Sequence, residues 1–188
     1  MTQYFLKVAL MGDGAVGKTS IRNRFMGKGF RSEHLMTIGA DFASYDFPID
    51  ENKTTFQIWD LAGQATFASV RARFFRGAMA GLCIFDVTRK DSFMNLTRWI
   101  EELWRNNGRG IVPIIILGNK SDLRDKNSVP VEQAQKYVEA ISQKTKNNGF
   151  SVHYLDTSAK TGLNINEAFT TIGRQVITAL ASGNLKLG

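Results

Sequence analysis

The sequence predicts an α/β fold: a single domain with a mostly parallel six-stranded sheet, one antiparallel edge strand and about five flanking helices. Short apolar runs alternate with segments whose apolar residues recur at helical spacing, as in parallel sheets whose strands are joined by crossover helices. With 188 residues, 43% of them hydrophobic, the chain is long enough to bury one substantial core. We therefore expect one domain over residues 1–181 and a flexible tail over residues 182–188.

The strands are predicted from the apolar runs. One strand, Asp41–Ile49, is separated from the next run by the turn residues 50–53. The two should form a hairpin, which places an antiparallel strand at one edge of the sheet. The remaining runs predict the five parallel strands and are Phe5–Met11, Thr54–Trp59, Gly81–Val87, Ile111–Leu117 and Val152–Leu155.

Helical periodicity is clearest in three later segments. Residues 91–106, 131–144 and 165–180 each carry their large apolar residues on one face. We assign these faces to the core rather than to a cofactor site. Asn164 and Glu167 have the spacing of a capping box at the start of the third helix.

A glycine-spaced segment follows the first strand and ends in Lys18 and Thr19. Gly12 and Gly17 bracket a turn whose backbone N–H groups must point inward, where larger side chains would block phosphates. Lys18 would place a charge on the outer phosphates, Thr19 would offer a hydroxyl to Mg²⁺, and a helix beginning near Thr19 would add its positive end. The alternative is an ordinary glycine-rich turn. The predicted phosphate site comprises Gly12, Asp13, Gly14, Ala15, Val16, Gly17, Lys18, Thr19 and Ser20.

Polar residues also follow the later strands, at the edge where such sheets bind ligands. Asp60 is placed to serve Mg²⁺, while Gly63 offers an N–H to a terminal phosphate and Gln64 offers an amide. Five short motifs at successive strand ends together predict a nucleotide site. In chain order they are residues 12–19, 37–39, 60–64, 119–122 and 157–160.

Asp122 indicates which base is bound. Its carboxylate can accept hydrogen bonds from the N1–H and exocyclic amine of guanine, whereas adenine lacks this donor pair and would leave the carboxylate unpaired. The sequence therefore predicts GTP or GDP with Mg²⁺. The alternative for Asp122 is an ordinary turn carboxylate after a strand.

The chain resembles the small GTPases of the Ras superfamily and is most similar to their Rab branch. The resemblance covers residues 4–181 and rests on the order of the five motifs, with Rab character in residues 37–42, 59–64 and 74–78. It implies a small GTPase domain in which Thr37 meets Mg²⁺ and the γ-phosphate only in the GTP state. It also implies that Phe30 and Lys120 pack on the two faces of guanine and that the Ala159 N–H meets its carbonyl. Beyond the phosphate segment, the implied nucleotide-binding residues are Phe30, His34, Thr37, Gly63, Asn119, Lys120, Asp122, Leu123, Ser158, Ala159 and Lys160, and the implied metal residues are Thr19, Thr37 and Asp60.

The resemblance implies slow hydrolysis of GTP, with Gln64, Lys18 and Thr37 as the catalytic residues. Gln64 would orient the attacking water, and Lys18 with the bound Mg²⁺ would neutralise charge on the phosphate oxygens. The segment after Gln64 holds three arginines, at positions 71, 73 and 76, to which we assign surface or structural roles. A partner would then supply the arginine that accelerates hydrolysis. The alternatives are a GTP-dependent binding module with negligible hydrolysis and, opposed by Asp122, a P-loop ATPase or nucleotide kinase.

Two segments, 30–41 and 61–75, should change shape with the γ-phosphate. Effector proteins, an exchange factor and a GTPase-activating protein would read these segments. Phe42, Trp59 and Phe75 resemble the aromatic trio that Rab proteins present to effectors, although such aromatics can equally belong to the core.

Two residues depart from the Rab pattern. Ala65 stands where Rab proteins usually have glutamate, and His34 stands where relatives often have a tyrosine over the phosphates, unless it is a plain loop histidine. We expect these changes to affect recognition by exchange factors or activating proteins rather than the hydrolysis of GTP.

Composition limits the classes of partner and of cellular location that fit the chain. The basic residues behind the net charge of +7 are spread along the chain, which favours a counterweight to phosphates and acidic partners over a nucleic-acid surface. Cys83 lies in an apolar run and should be a buried small hydrophobe. We find neither a membrane-length apolar run nor a signal peptide, and no cysteine follows Cys83 to carry a prenyl group. We expect a cytoplasmic monomer that binds no nucleic acid and reaches membranes only through partners, unless a lipidated tail was truncated.

Overall fold

The computed structural model describes residues 2–29, 37–64, 66 and 68–185. Within these ranges six strands form one sheet in the order β2-β3-β1-β4-β5-β6, with β2 antiparallel to β3 and every other pairing parallel. The predicted sheet and its antiparallel edge strand are therefore confirmed. The strands are β1 (Gln3–Met11), β2 (Ala40–Asp46), β3 (Lys53–Leu61), β4 (Ala80–Asp86), β5 (Ile114–Asn119) and β6 (His153–Asp156).

Two strand limits differ from the predicted ones. β2 ends at Asp46 rather than Ile49, although the hairpin continues beyond Pro48: the Phe47 N–H donates to Thr54 at 2.9 Å, and Ile49 pairs with Asn52 in an isolated bridge. β5 begins immediately after Pro113 and extends to Asn119. The strand therefore carries Asn119 itself to the carboxyl edge of the sheet.

Helices cover both faces of the central strands, which is why β4 and β5 are buried along their whole length. In the described ranges there are six α-helical segments, but the third and fourth are separated only by Asn95 and form one interrupted helix, in agreement with about five predicted helices. The segments are α1 (Lys18–Phe25), α2 (Ala68–Phe75), α3 (Lys90–Met94), α4 (Leu96–Asn106), α5 (Val131–Thr145) and α6 (Ile165–Ala181).

The capping box predicted at the start of α6 is wrong. Asn164 has a left-handed backbone, with φ of 55°, and makes no side-chain bond to the N–H groups of the helix. Its Nδ2 instead donates to the carbonyl of Asp156 at 2.8 Å. Glu167 accepts a hydrogen bond from Thr171 on the next turn.

Three aromatic rings attach α1 to α6 and to the sheet. Phe25 of α1 stacks on Phe169 of α6 with 3.7 Å between centroids, and Phe56 of β3 meets both rings edge-on at 5.6 Å. Because α1 begins with Lys18 and Thr19, this cluster anchors the helix that carries the last residues of the predicted phosphate site.

Cys83 and Leu185 also have defined places. Cys83 is fully buried, which raises the pKa of its thiol, as expected for a small hydrophobe in the core. Leu185 is buried and its N–H donates to the carbonyl of Ala179 at 2.9 Å. Among the helices that the structure describes, none has the length and apolar character needed to cross a membrane.

Candidate functional site

The predicted motifs meet at the carboxyl edge of the sheet, where hydrogen bonds join them directly. The Thr19 hydroxyl connects the glycine-spaced segment to Asp60 at 2.5 Å and lies 3.1 Å from the hydroxyl of Thr37. Asn119 donates to the Val16 carbonyl at 2.8 Å, and the Ala159 N–H donates to Asn119 at 3.3 Å. Five segments far apart in the chain therefore form one continuous site.

The turn after β1 has its carbonyl groups held on one side. Each of the five carbonyl oxygens of residues 12–16 accepts a hydrogen bond from a side chain. A trans peptide directs its N–H opposite to its C=O, so the N–H groups that follow these carbonyls point to the other side, where they can cradle an anion. The donors are Lys18 to Gly12 and to Asp13 (both 2.8 Å), Arg89 to Gly14 (2.8 Å), Lys120 to Ala15 (2.9 Å) and Asn119 to Val16 (2.8 Å).

Gly12 and Gly17 are required by both conformation and space. Their φ angles, 142° and 103°, lie in the region that favours glycine. A Cβ on Gly12 would lie 2.1 Å from the carbonyl oxygen of Ile84, and one on Gly17 would lie 2.2 Å from the amide nitrogen of Asn119. The turn can therefore contact both β4 and β5 only with glycine at these positions.

Lys18 is a buried cation whose charge is only partly balanced. The residue is 6% exposed, and its burial lowers the pKa of the ammonium group to about 8, against the opposing effect of Asp60 and Asp13. An anionic phosphate beside it would favour the charged form. Lys18 is thus suited to bind phosphate.

Three oxygen-bearing side chains converge beside Lys18. Asp60 is fully buried, and one of its carboxylate oxygens has no hydrogen-bond partner among the described residues. Burial raises the pKa of this carboxyl, while Thr19 and Lys18 act in the opposite direction. Together with the hydroxyls of Thr19 and Thr37, it forms the all-oxygen donor set that Mg²⁺ prefers, so these residues fit the ion.

Gly63 and Gln64 lie against the phosphate turn. A Cβ on Gly63 would stand only 2.3 Å from the Gly14 nitrogen, and the Gln64 side-chain nitrogen is 3.9 Å from the position of a Cβ on Gly14. The side-chain oxygen of Gln64 is buried, and no donor within the described ranges bonds to it. Gln64 therefore offers a free acceptor beside the turn.

Hydrogen bonds and an ion pair hold the predicted base-binding residues in place. Ser158 donates to the Asp122 carboxylate at 2.6 Å. Lys120 has a left-handed backbone, with φ of 63°, and its ammonium group lies 2.7 Å from Asp86. Burial opposes the ionisation of Asp86, but Lys120 and Thr88 hold its pKa below the usual range.

The remaining predicted residues lie at the rim of the site or outside the residues that the structure describes. Ser20 is half-buried, whereas Leu123 and Lys160 are exposed. Phe30 and His34, like the departure at Ala65, fall outside the described residues.

Sequence reasoning missed several residues that hold the site. Asp86 ends β4 and would have been found by examining that strand end like the others. Arg89 and the α4 residue Trp99, which donates to the Asp13 carboxylate at 2.8 Å, give no local signal because their partners lie 75 and 86 residues away in the chain.

The aromatic trio differs from the predicted one. Phe42 is 49% exposed and packs on Trp59 with 5.1 Å between ring centroids. Phe75 is fully buried in the core, so its predicted place in the trio is wrong. The neighbouring residue on α2, Phe74, contacts Trp59 instead, at 5.5 Å.

Comparison with known proteins gives consistent matches along the chain. The sequence pattern of the Ras family matches residues 7–178. The Ras-related protein RABA4b of Arabidopsis thaliana is 36% identical over 182 residues, which are 97% of this chain and 77% of the relative. The Ras-related protein Rab-11C of Dictyostelium discoideum is 38% identical over 89% of this chain and 70% of its own. Human Ras-related protein Rab-8B is 37% identical, covering 94% and 81%.

Proposed function

The chain belongs to the Ras family and, within it, to the Rab branch of small GTPases; from this premise we propose that it is a guanine-nucleotide switch that hydrolyses GTP slowly. The observation that supports this most strongly is that side chains bind the carbonyls of residues 12–16 on one side of the turn. The N–H groups that follow these carbonyls are left to bind phosphates on the other side. We take residues 1–181 as the GTPase domain and residues 182–188 as its tail.

Phosphate binding would rest on these N–H groups and on Lys18. Thr19 and Thr37 would ligate Mg²⁺, with Asp60 in its outer environment, and the ion would supply charge neutralisation at the β- and γ-phosphates. Thr37 and Gly63 would each contact the γ-phosphate, which connects its presence to the segments 30–41 and 61–75.

Hydrolysis would depend on Gln64, whose free side-chain oxygen can accept a hydrogen bond from the attacking water. The arginines after Gln64 support a slow reaction. Arg71 is buried against Glu102, and Arg73 and Arg76 are exposed. A GTPase-activating partner would then supply an arginine to the transition state.

Base selection would rest on Asp122, which Ser158 already orients. Replacing Asp122 with Asn keeps one acceptor oxygen and turns the other into a donor, so guanine should lose the hydrogen bond from its exocyclic amine and xanthine should gain one to its 2-carbonyl. We expect Asp122→Asn to weaken GDP binding by about 100-fold or more and to favour xanthosine diphosphate.

Competition against fluorescent GDP tests this assignment. GTP and GDP should displace the label, and ATP should not do so at about 1,000-fold higher concentration. If ATP competes as well as GTP, the protein is an ATPase or nucleotide kinase instead.

A single-turnover assay separates the switch from a binding module that does not hydrolyse GTP. We expect Gln64→Leu to slow GTP hydrolysis by at least about tenfold while nucleotide binding is retained. An unchanged rate would remove Gln64 from the mechanism, and turnover near 1 s⁻¹ without a partner would contradict slow intrinsic hydrolysis.

Partners would read the two nucleotide-dependent segments together with the exposed surface of Phe42, Trp59 and Phe74. Effectors would bind this surface in the GTP state, and an exchange factor and a GTPase-activating protein would act on the same segments. We also propose a cytoplasmic monomer that reaches membranes through such partners. Affinity capture with GTP-loaded and GDP-loaded protein would identify them, and equal capture by both forms would contradict the switch.

A further inference from the structure

Arg71 is an unusually buried arginine in α2, only 3% exposed, close to the proposed catalytic glutamine. Its Nη1 donates to the backbone carbonyls of Ala62 and Gln64, at 2.9 and 3.1 Å. Its Nε and Nη2 form a two-pronged pair with the carboxylate of Glu102 on α4, both at 2.9 Å. One side chain therefore connects the backbone on both sides of Gly63 to a helix that does not belong to the nucleotide-dependent segments.

The same helix holds the phosphate turn. The guanidinium of Arg71 lies over the Trp99 ring, 4.2 Å from its centroid, and the indole N–H of Trp99 donates to Asp13 at 2.8 Å. Asn95, which immediately precedes α4, donates to the other Asp13 oxygen at 2.7 Å. The Asp13 and Gln64 positions are thus both fixed relative to α4.

From this geometry we infer that Arg71 is a positioning residue for GTP hydrolysis, which acts by holding the backbone of Gln64 at a fixed place against α4. The inference rests on the proposed function and adds a residue to its mechanism. A water-orienting side chain is effective only when its reach to the attacking atom is fixed, and a displacement of about 1 Å can slow a reaction by about 100-fold. Gln64 is held by this bond at its carbonyl, and its side-chain oxygen remains free.

The bond requires an arginine that is itself held. A lysine at position 71 would keep the charge, but its three donors share one nitrogen and cannot reproduce the four hydrogen bonds that the planar guanidinium makes. Glu102 supplies two acceptors that orient the guanidinium plane, and Glu102→Gln would replace one of them with a donor. Both changes should therefore release Gln64 although neither residue lies on the nucleotide.

The test compares Arg71→Ala, Arg71→Lys and Glu102→Gln in single-turnover GTP hydrolysis, with Arg73→Ala as the matched control. Arg73 lies on the same helix and carries the same charge but is exposed. We expect about tenfold slower hydrolysis for the three variants and an unchanged rate for the control. Dissociation of fluorescent GDP should stay within about threefold of the parent, because a positioning defect at Gln64 leaves ground-state binding intact.

The deciding measurement repeats Arg71→Ala and Glu102→Gln in the Gln64→Leu background. If Arg71 acts through Gln64, neither should slow hydrolysis further there. Equal slowing with and without Gln64, or no slowing in the parent, would overturn the inference.

Two controls keep the result interpretable. Should Arg71→Ala fail to fold, Glu102→Gln and Arg71→Lys carry the same test, with thermal unfolding reported for each. If Gln64→Leu hydrolyses GTP slowly and Arg71→Ala hydrolyses it at the parent rate, only the role of Arg71 is refuted. If the parent protein itself leaves GTP intact, the proposed function is refuted.

Discussion

At the scale of single residues, Gly63 shows how tightly the site is assembled. The space beside it is occupied by backbone atoms of Asp13 and Gly14, which cannot rotate away as a side chain would. The turn that they belong to is held by four side-chain donors, so Gly63 is the partner that must move.

Gly63→Ala should therefore displace the segment that carries Gln64. We expect GTP hydrolysis to slow by about tenfold or more, because the added methyl group forces a shift of about 1 Å next to the reacting atoms. Single-turnover hydrolysis and GDP release measured on the same sample check this. Faster GDP release with unchanged hydrolysis would mean that the phosphate turn moved instead.

Asp86 gives a prediction about pH. Its pKa is lowered in the folded protein, chiefly because Lys120 and Thr88 outweigh the effect of burial, so its ionised form stabilises the fold. This stabilisation is present above the ordinary aspartate pKa of about 3.9 and is lost as the pH falls through the lower folded value. Asp86→Asn should therefore lower the free energy of unfolding by about 1–2 kcal/mol at pH 7, with a smaller difference near pH 3.

Urea denaturation of parent and Asp86→Asn proteins at the two pH values provides the comparison. A difference that stays constant between pH 7 and pH 3 would show that Asp86 does not stabilise the fold through its charge.

Residues that belong to short motifs could be predicted from the sequence, and their supports could not. Asn119 ends β5, and Asp122 and Ser158 come within three residues of the ends of β5 and β6, so their place at the sheet edge follows from the fold class. Arg89 and Trp99 depend on the order of the strands in the sheet and on the path of α4. Such contacts between distant residues have no periodicity to reveal them.

At the scale of elements, helices with an apolar stripe were predictable and α2 was not. α4 and α6 show apolar residues at helical spacing. α2 reads Ala-Ser-Val-Arg-Ala-Arg-Phe-Phe, and its buried side includes the charged Arg71, so the sequence lacks the usual contrast between faces. Its helix is stabilised by contacts with β3 and α4 rather than by its own pattern.

The attachment of α1 to α6 offers a test at this scale. Phe169→Ala would leave a cavity between the rings of Phe25 and Phe56, and we expect the free energy of unfolding to fall by about 3–5 kcal/mol. Asn166→Ala, on the exposed side of the same helix, should change it by less than about 0.5 kcal/mol. Denaturant unfolding of both variants gives these values, and a Phe169→Ala effect as small as the control would contradict the packing argument.

At the scale of the whole molecule, nucleotide and Mg²⁺ should act as structural components. Lys18 and Asp60 are buried charges at the centre of the site, and each should gain stability from the opposite charge that a ligand brings. Ligand that binds only the folded state adds about 2.7 kcal/mol at 100 times its dissociation constant.

Removing Mg²⁺ with EDTA should therefore lower the melting temperature and speed GDP release by about tenfold or more. Thr19→Ala, which removes a proposed metal ligand, should release GDP quickly already and respond little to EDTA. A melting temperature that is independent of both ligands would contradict the fit of Thr19, Thr37 and Asp60 to Mg²⁺.

The donors that hold the carbonyls of residues 12–16 also bear on how the protein is made. The glycine-spaced turn is synthesised well before Arg89, Asn119 and Lys120, which follow it in the chain. A nascent chain that ends before β5 carries the complete motif but lacks two of the four side chains that hold it, Asn119 and Lys120. The full set of hydrogen bonds that shapes the phosphate turn can therefore form only after residue 120 has emerged.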